Sequence, residues 1–251
     1  MGRHSRVHRL AGDAVTYDLR LGRWQDVLAD VECDVLMADP PYGARTHDGN
    51  SQMQRFQMPG HEARRNLTYA CMTPDDVREF VAHWSRRVRG WMACMTSDDL
   101  IPAWRAAYAD AGRYDFAPVP ILQDRVRMGG DGPASAAVYL MVARPRSRQF
   151  QRWGALPGWY KAGTERDGHI GGKPVDLMRA LIRDYSRPGD LVCDPCAGGG
   201  TTLLAAVQTG RLAVGSEMDP QTHAKAVQRL ANAKVTVDWL DAPKATQEGL
   251  L

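Results

Sequence analysis

The chain has 251 residues, 44% apolar and 24% charged, with a formal net charge of +3. That length fits one α/β domain with a substantial core and is too short for two full ones. No apolar run approaches the roughly 18 residues that span a bilayer, no apolar signal core opens the chain, and Arg6 stands where a myristoylation pattern wants Ser or Thr. These features exclude a membrane partner and point to a cytoplasmic protein.

The stretch up to about Tyr17 is polar and reads as loose. Leu19–Gly22 looks like a strand end, and Trp24, Val27 and Leu28 open a helical turn. Asp34–Ala38 is a compact apolar run, the mark of a buried parallel strand, and it ends directly on Asp39. Residues 43–72 carry no apolar period and read as a long loop. Thr73-Pro74-Asp75-Asp76 is a helix start, with a capping Thr, Pro at the first position and acids in the first turn; Val77, Phe80, Val81, Trp84 and Val88 follow at helical spacing. Trp91–Met95 is the next strand and 101–111 the next helix. Residues 114–122 and 136–143 read as two more strands joined by the glycine-rich turn at 129–133, and 144–172 as an irregular segment. Pro174 opens a helix with Val175, Met178, Leu181, Ile182 and Tyr185 on one face. Leu191–Cys193, a helix to Gln208, a strand from Leu212 to Glu217 and a helix from Pro220 complete the pattern. Strands alternating with helices predict a doubly wound, mostly parallel α/β sheet, with ligands at the carboxyl ends of its strands.

Two short islands carry the chemistry. Asp194-Pro195-Cys196-Ala197-Gly198-Gly199-Gly200-Thr201 lies between a strand and a helix. Small residues let the backbone approach a ligand closely, and the helix N-terminus offers free N–H groups. Glu217 ends the following strand, where nucleotide-binding folds place an acid for ribose hydroxyls. The alternative is a plain tight turn. The other island, Asp39-Pro40-Pro41-Tyr42, follows a buried strand. Consecutive prolines fix φ and donate no N–H, so the chain leaves the sheet on a stiff path. That path aims the Asp39 carboxylate and the Pro40 carbonyl at one point, two acceptors for the two donors of an NH2 group, while Tyr42 supplies an aromatic face. A Pro-rich turn with a capping Asp is the alternative for this island.

The remaining signals are weaker. Five cysteines lack a regular spacing, and Cys193-Asp194-Pro195-Cys196 has no second pair, so no disulfide framework, redox centre or metal site is expected. Only five of the 32 basic residues are lysine. Arginines cluster at Arg3/Arg6/Arg9, Arg64/Arg65, Arg86/Arg87/Arg89, Arg125/Arg127 and Arg144/Arg146/Arg148/Arg152. The last cluster, followed by Trp153 and Trp159-Tyr160, is the best candidate for a nucleic-acid surface; solvated charge is the alternative.

Together the two islands resemble those of S-adenosylmethionine-dependent DNA amino-methyltransferases, which carry Asp-Pro-Pro-Tyr and a turn of the type Asp-Pro-Phe-x-Gly-Ser-Gly-Thr. With the amine site first, the chain resembles the permuted β-group of bacterial and phage enzymes. His169-Ile170-Gly171-Gly172-Lys173-Pro174 sits where that group has His-Pro-Thr-Gln-Lys-Pro. The resemblance covers roughly residues 17–45 and 165–232. It implies a circularly permuted, Rossmann-like class I methyltransferase fold, a single domain over 1–251, with loops 43–72, 123–133 and 144–170 available for target recognition. It implies that Asp194, Pro195, Cys196, Ala197, Gly198, Gly200, Thr201, His169 and Lys173 surround the cofactor, and that Glu217 holds its ribose. Asp39 and Pro40 would grip the target amine, with Pro41 and Tyr42 completing the motif and Tyr42 stacking on a base flipped out of DNA. The implied reaction is methylation of adenine N6. Cytosine N4 methylation is the alternative, since the same acceptors fit either amine, although Ser in place of Asp39 is commoner there. A non-catalytic DNA-binding relative is the alternative of another class. The chain departs from the pattern at Cys196 (Phe in the family), Gly199 (Ser), Arg23 (Asp after the glycine) and Ile170-Gly171-Gly172. It has no large recognition insert, which implies a short target sequence, relaxed specificity or help from a second subunit in a homodimer.

Overall fold

The computed structural model describes residues 8–9, 16–44, 70–123, 133–147, 150, 153–163 and 172–233. In chain order these form β1 (His8–Arg9), β2 (Thr16–Leu21), α1 (Trp24–Val27), β3 (Val35–Ala38), α2 (Pro74–Trp84), β4 (Met92–Thr96), α3 (Ile101–Asp110), β5 (Tyr114–Asp115), β6 (Val119–Leu122), β7 (Ala137–Arg144), β8 (Tyr160–Lys161), α4 (Val175–Tyr185), β9 (Leu191–Asp194), α5 (Thr201–Gln208), β10 (Leu212–Glu217) and α6 (Pro220–Ala231).

Every residue of β3 and β4 is buried, as central strands covered on both faces must be. Their side chains alternate between two cores. Val35, Met37, Ala93 and Met95 pack with α4 and α5, while Leu36, Ala38, Met92 and Cys94 pack with α2 and α3. The amphipathic faces of the helices match: Val77, Phe80, Val81 and Trp84 of α2 are buried, and so are Val175, Leu177, Met178, Leu181, Ile182 and Tyr185 of α4. α2 begins with a full capping box, the Thr73 hydroxyl accepting from the Asp76 N–H at 3.2 Å and the Asp76 carboxylate accepting from the Thr73 N–H at 2.8 Å.

One sheet runs in the order β1-β2-β10-β9-β3-β4-β7-β6-β8, with β5 also beside β7. From β2 to β4 all neighbours are parallel; β7 is antiparallel to β4 and to β6. From β9 the chain winds through α5 to β10 on one side, and from β3 through α2 to β4 on the other. The winding direction therefore reverses between β9 and β3, and a crevice at their carboxyl ends is where such sheets bind ligands.

The structure departs from the sequence expectations within 114–122 and within 144–172. The strand expected over 114–122 is two short ones, broken at Ala117-Pro118, where proline removes a ladder donor. The segment 144–172 is not wholly irregular, because Tyr160–Lys161 pairs in parallel with β6. The arginine-rich run begins away from the strand carboxyl ends. Ala143 pairs with Met92, the first residue of β4, whereas Ala38, just before Asp39, pairs with Cys94 further along. Arg144 therefore lies toward the sheet edge opposite the strand carboxyl ends. There the Arg144 and Arg146 guanidinium groups lie 4.7 and 5.5 Å from the Tyr114 ring centroid. Trp153 stacks on Phe150 and donates to the Asp184 carbonyl, and buried Tyr160 donates to the Asp184 carboxylate. Of these aromatics Trp159 and Tyr114 are exposed. Arg148, Arg152 and most of loops 43–72 and 123–133 lie outside the described residues.

Candidate active site

The pairing of β3 with β9 sets Val35 beside Val192 and Leu36 beside Cys193. Asp194 ends β9 one residue past Cys193, Asp39 follows the end of β3 three residues past Leu36, and from there both chains leave the sheet as the two islands. The two islands thus meet at the switch point although most of the chain lies between them.

The glycine-rich turn is seated on β10. The Ala197 N–H donates to the Ser216 carbonyl at 2.9 Å, the Ser216 hydroxyl to the Pro195 carbonyl at 2.8 Å, and the Gly200 N–H to the Ala197 carbonyl at 2.8 Å. Gly200, at φ +75°, caps α5 with no side chain to accept from the first turn, which leaves that turn's N–H groups without a side-chain capping acceptor. From the other side Arg229 of α6 donates to the Gly199 carbonyl at 2.8 Å and to the Thr201 hydroxyl at 3.0 Å. Gly215 of β10 passes under the turn; a Cβ there would stand 2.7 Å from the Asp194 carbonyl oxygen.

Asp194 is fully buried, and its carboxylate accepts from the Cys196 N–H at 3.0 Å and from the Thr202 hydroxyl. Burial pushes its pKa up to about 7, with the charges of Asp39 and Glu217 adding to the effect against those hydrogen bonds. Burial, and then the Asp194 carboxylate, also holds the Cys196 thiol well above its ordinary range. Neither Cys193 nor Cys196 is disulfide-bonded, and no metal-binding group of His, Cys, Asp and Glu occurs among the described residues. Glu217 sits at the end of β10 beside Leu21, and the Gly22 N–H donates to its carbonyl at 2.9 Å. Arg23 follows, exposed.

On the other island Pro40 is buried and Asp39 and Tyr42 are half-buried. The Tyr42 hydroxyl donates to Asp39 Oδ1 at 2.9 Å. Lys173, just before α4, donates to Asp39 Oδ2 at 2.5 Å and to the Tyr42 oxygen at 2.8 Å. Burial opposes the Lys173 charge, but Asp39 and Tyr42 outweigh it and raise its pKa. Burial and the Asp39 charge likewise raise that of Tyr42. Gly43 closes the motif: its N–H donates to the Ser97 hydroxyl at 3.0 Å, and a Cβ would run into the Asp99 carboxylate.

The structure thus brings together Asp39, Pro40, Pro41, Tyr42, Lys173, Asp194, Pro195, Cys196, Ala197, Gly198, Gly200, Thr201 and Glu217 along one edge of the sheet. His169 lies outside the described residues. Lys173, expected beside the cofactor, has the amine-grip residues as its hydrogen-bond partners. Ser97, Ser216 and Arg229 hold the two islands in place and carry no motif that sequence reading could find. Among the described residues no helix is long and apolar enough to cross a membrane.

A family model described as DNA methylase matches residues 103–228. The Escherichia coli (strain K12) protein named "Putative methylase YubD" is 40% identical over 202 residues, 79% of this chain and 82% of its own. The fold is shared with the M1.HpyAVI–SAM complex, at a TM-score of 0.60 and 18% identity over 85% of this chain and 98% of that one. It is shared as well with the cytosine-N4-specific PvuII DNA methyltransferase, at a TM-score of 0.58 and 13% identity over 87% and 94%.

Proposed function

The chain belongs to the N6/N4 DNA methylase family, and from that premise we propose that it transfers a methyl group from S-adenosylmethionine to the N6 amine of adenine in DNA. The observation that carries this reading is the meeting of the Asp39 and Asp194 islands at the switch point between β3 and β9. Amine acceptors and a cofactor turn at the ends of neighbouring strands are what a direct transfer needs, since reacting groups must be held within a few ångströms of each other.

The crevice suits the cofactor. Gly198 and Gly200, both at positive φ, give close backbone approach, and the uncapped first turn of α5 offers donors to a carboxylate. Asp194, Pro195, Cys196, Ala197 and Thr201 line that turn, Glu217 is placed to accept from ribose hydroxyls, and Lys173 and His169 complete the set that family likeness implies. The bound cofactor supplies an electrophilic sulfonium methyl. The chain's own task is the amine: Asp39 and the Pro40 carbonyl accept its two N–H groups, draw its lone pair out of conjugation with the ring and aim it. No covalent enzyme intermediate is required, and no cysteine takes part. The target base leaves the duplex, and Tyr42 replaces part of its lost stacking. Loops 43–72, 123–133 and the part of 144–170 beyond Arg146 are the segments left for reading sequence.

Cytosine N4 is the second reading, because two acceptors at Asp39-Pro40 fit either amine; an acid rather than a serine at Asp39 favours adenine. Incubation with labelled S-adenosylmethionine and unmodified DNA, then digestion to nucleosides, tests both. Label in N6-methyladenosine is the expected outcome, and label in N4-methylcytosine would select the second. No label, with no cofactor binding by calorimetry, would instead indicate a DNA-binding relative without activity.

A further inference from the structure

Both oxygens of the carboxylate that should receive the target amine already hold a donor from within the protein. Asp39 Oδ1 takes the Tyr42 hydroxyl and Oδ2 takes the Lys173 ammonium, which also reaches the Tyr42 oxygen. The three groups close a ring of charge-assisted hydrogen bonds. The Lys173 and Asp39 side chains are only 19% and 25% exposed, so the pair is screened weakly by solvent. Lys173 Nζ lies 2.8 Å from the Tyr42 oxygen and 5.1 Å from the ring centroid. It therefore sits off the hydroxyl end of the ring rather than above its face, and it competes for the acceptors, not for the stacking surface.

We propose that Lys173 is a stand-in for the target amine: its ammonium caps Asp39 in the free protein, and an incoming exocyclic amine must displace it from Oδ2 before it can be gripped. The proposal rests on the methyltransferase reading. Two features of the chemistry favour displacement over sharing. An amine gripped at Asp39 needs a carboxylate oxygen, and both already hold a donor. As the amine attacks, positive charge moves onto its nitrogen, and a second cation on the same carboxylate would oppose that development. Lys173 is thus an internal competitor for the amine site. It satisfies Asp39 when no amine is present, and it lowers the affinity for an amine-bearing base, which must replace a charged donor, while a base lacking an exocyclic amine does not compete for Asp39.

The test is binding of short single-stranded adenine, cytosine and thymine homopolymers, measured by fluorescence anisotropy without cofactor, for the wild type, Lys173→Met, Lys173→Gln and Lys173→Arg. Adenine and cytosine carry an exocyclic amine and thymine does not. Removing the cation should tighten binding of the adenine or cytosine strand several-fold relative to thymine, and Lys173→Arg should keep the wild-type ratio. Loss of a phosphate-attracting charge alone would weaken all three strands alike; that result, or unchanged ratios, overturns the proposal. Lys173→Gln gives the same reading if the Met variant does not fold. If the wild type labels DNA while the ratios stay flat, the stand-in role fails and the methyltransferase reading stands. If the ratios shift while the wild type labels nothing, the stand-in role holds and the transfer reading fails.

Discussion

Asp39 and Asp194 leave neighbouring parallel strands at the same sheet edge, and the charge of Asp39 helps to lift the pKa of Asp194. Burial is the larger cause, and together they bring Asp194 to about 7 from an ordinary 3.8. Between those values the folded protein keeps a proton that the unfolded chain has lost. The stability this provides is complete below the unfolded value and disappears as pH rises through the folded one. The wild type should therefore melt at a lower temperature at about pH 8 than at about pH 5, and Asp194→Asn, which cannot ionise, should show a smaller drop. Equal pH slopes for the two proteins would mean that Asp194 titrates normally.

The cofactor turn depends on the absence of a side chain beneath it. A Cβ at Gly215 would lie 2.7 Å from the Asp194 carbonyl oxygen and 2.9 Å from Leu203 Cδ1, so one of them must move. Overpacking of this kind costs about 1–3 kcal/mol, or roughly 2–4 °C of melting temperature per kcal/mol in a chain of this size. Gly215→Ala should show that loss together with weaker cofactor binding, because the displaced atom belongs to the strand that carries Asp194. Gly158→Ala, with nothing within 4 Å of its Cβ, should melt within about 0.5 kcal/mol of wild type. Scanning calorimetry of both variants makes the comparison.

What was legible in the sequence followed local physics. The unbroken apolar runs of β3 and β4 announced strands covered on both sides, and Thr73 with Asp76 announced the start of α2 within the range of one turn. The two islands were legible because prolines and glycines fix backbone geometry wherever they occur. Side-chain destinations were not. Lys173 carries a long, flexible stem, and only the tertiary fold decides that its ammonium ends on Asp39. Tyr160–Lys161 is too short to show a period and becomes a strand only because β6 offers an edge. The destinations of arginines were hidden in the same way. Buried Arg113 donates to the carbonyls of Gly90, Val88 and Ser85, and buried Arg211 to Ser186. Composition cannot distinguish such clamps on strand and helix ends from a phosphate-binding surface.

That distinction can be measured. Arg144 and Arg146 lie against Tyr114 at the sheet edge away from Asp39. A phosphate contact contributes about 0.9 to the slope of log affinity against log salt on duplex DNA. The double variant Arg144→Ala with Arg146→Ala should leave that slope unchanged. A fall approaching two units would return this edge to the DNA interface and require the duplex to wrap around the sheet.

Asp39→Ala separates gripping the amine from binding the cofactor. The variant loses a positioned acceptor, and removing one preorganised electrostatic partner typically costs about 10²–10³ in turnover. It also leaves the half-buried Lys173 ammonium with the Tyr42 oxygen but without its carboxylate partner, so a lower melting temperature should accompany the loss of rate. The Asp194 turn, fixed by Ser216 and Arg229 rather than by Asp39, should bind cofactor within about two-fold of wild type by calorimetry, a difference of about 0.4 kcal/mol. Asp39→Asn refines the outcome. Its carbonyl oxygen can accept from one amine hydrogen but carries no charge to stabilise the developing cation, so its rate should fall between those of wild type and alanine. Full activity in Asp39→Ala would remove the amine grip from the reaction altogether, because no other acidic side chain in the Asp-Pro-Pro-Tyr island could take its place.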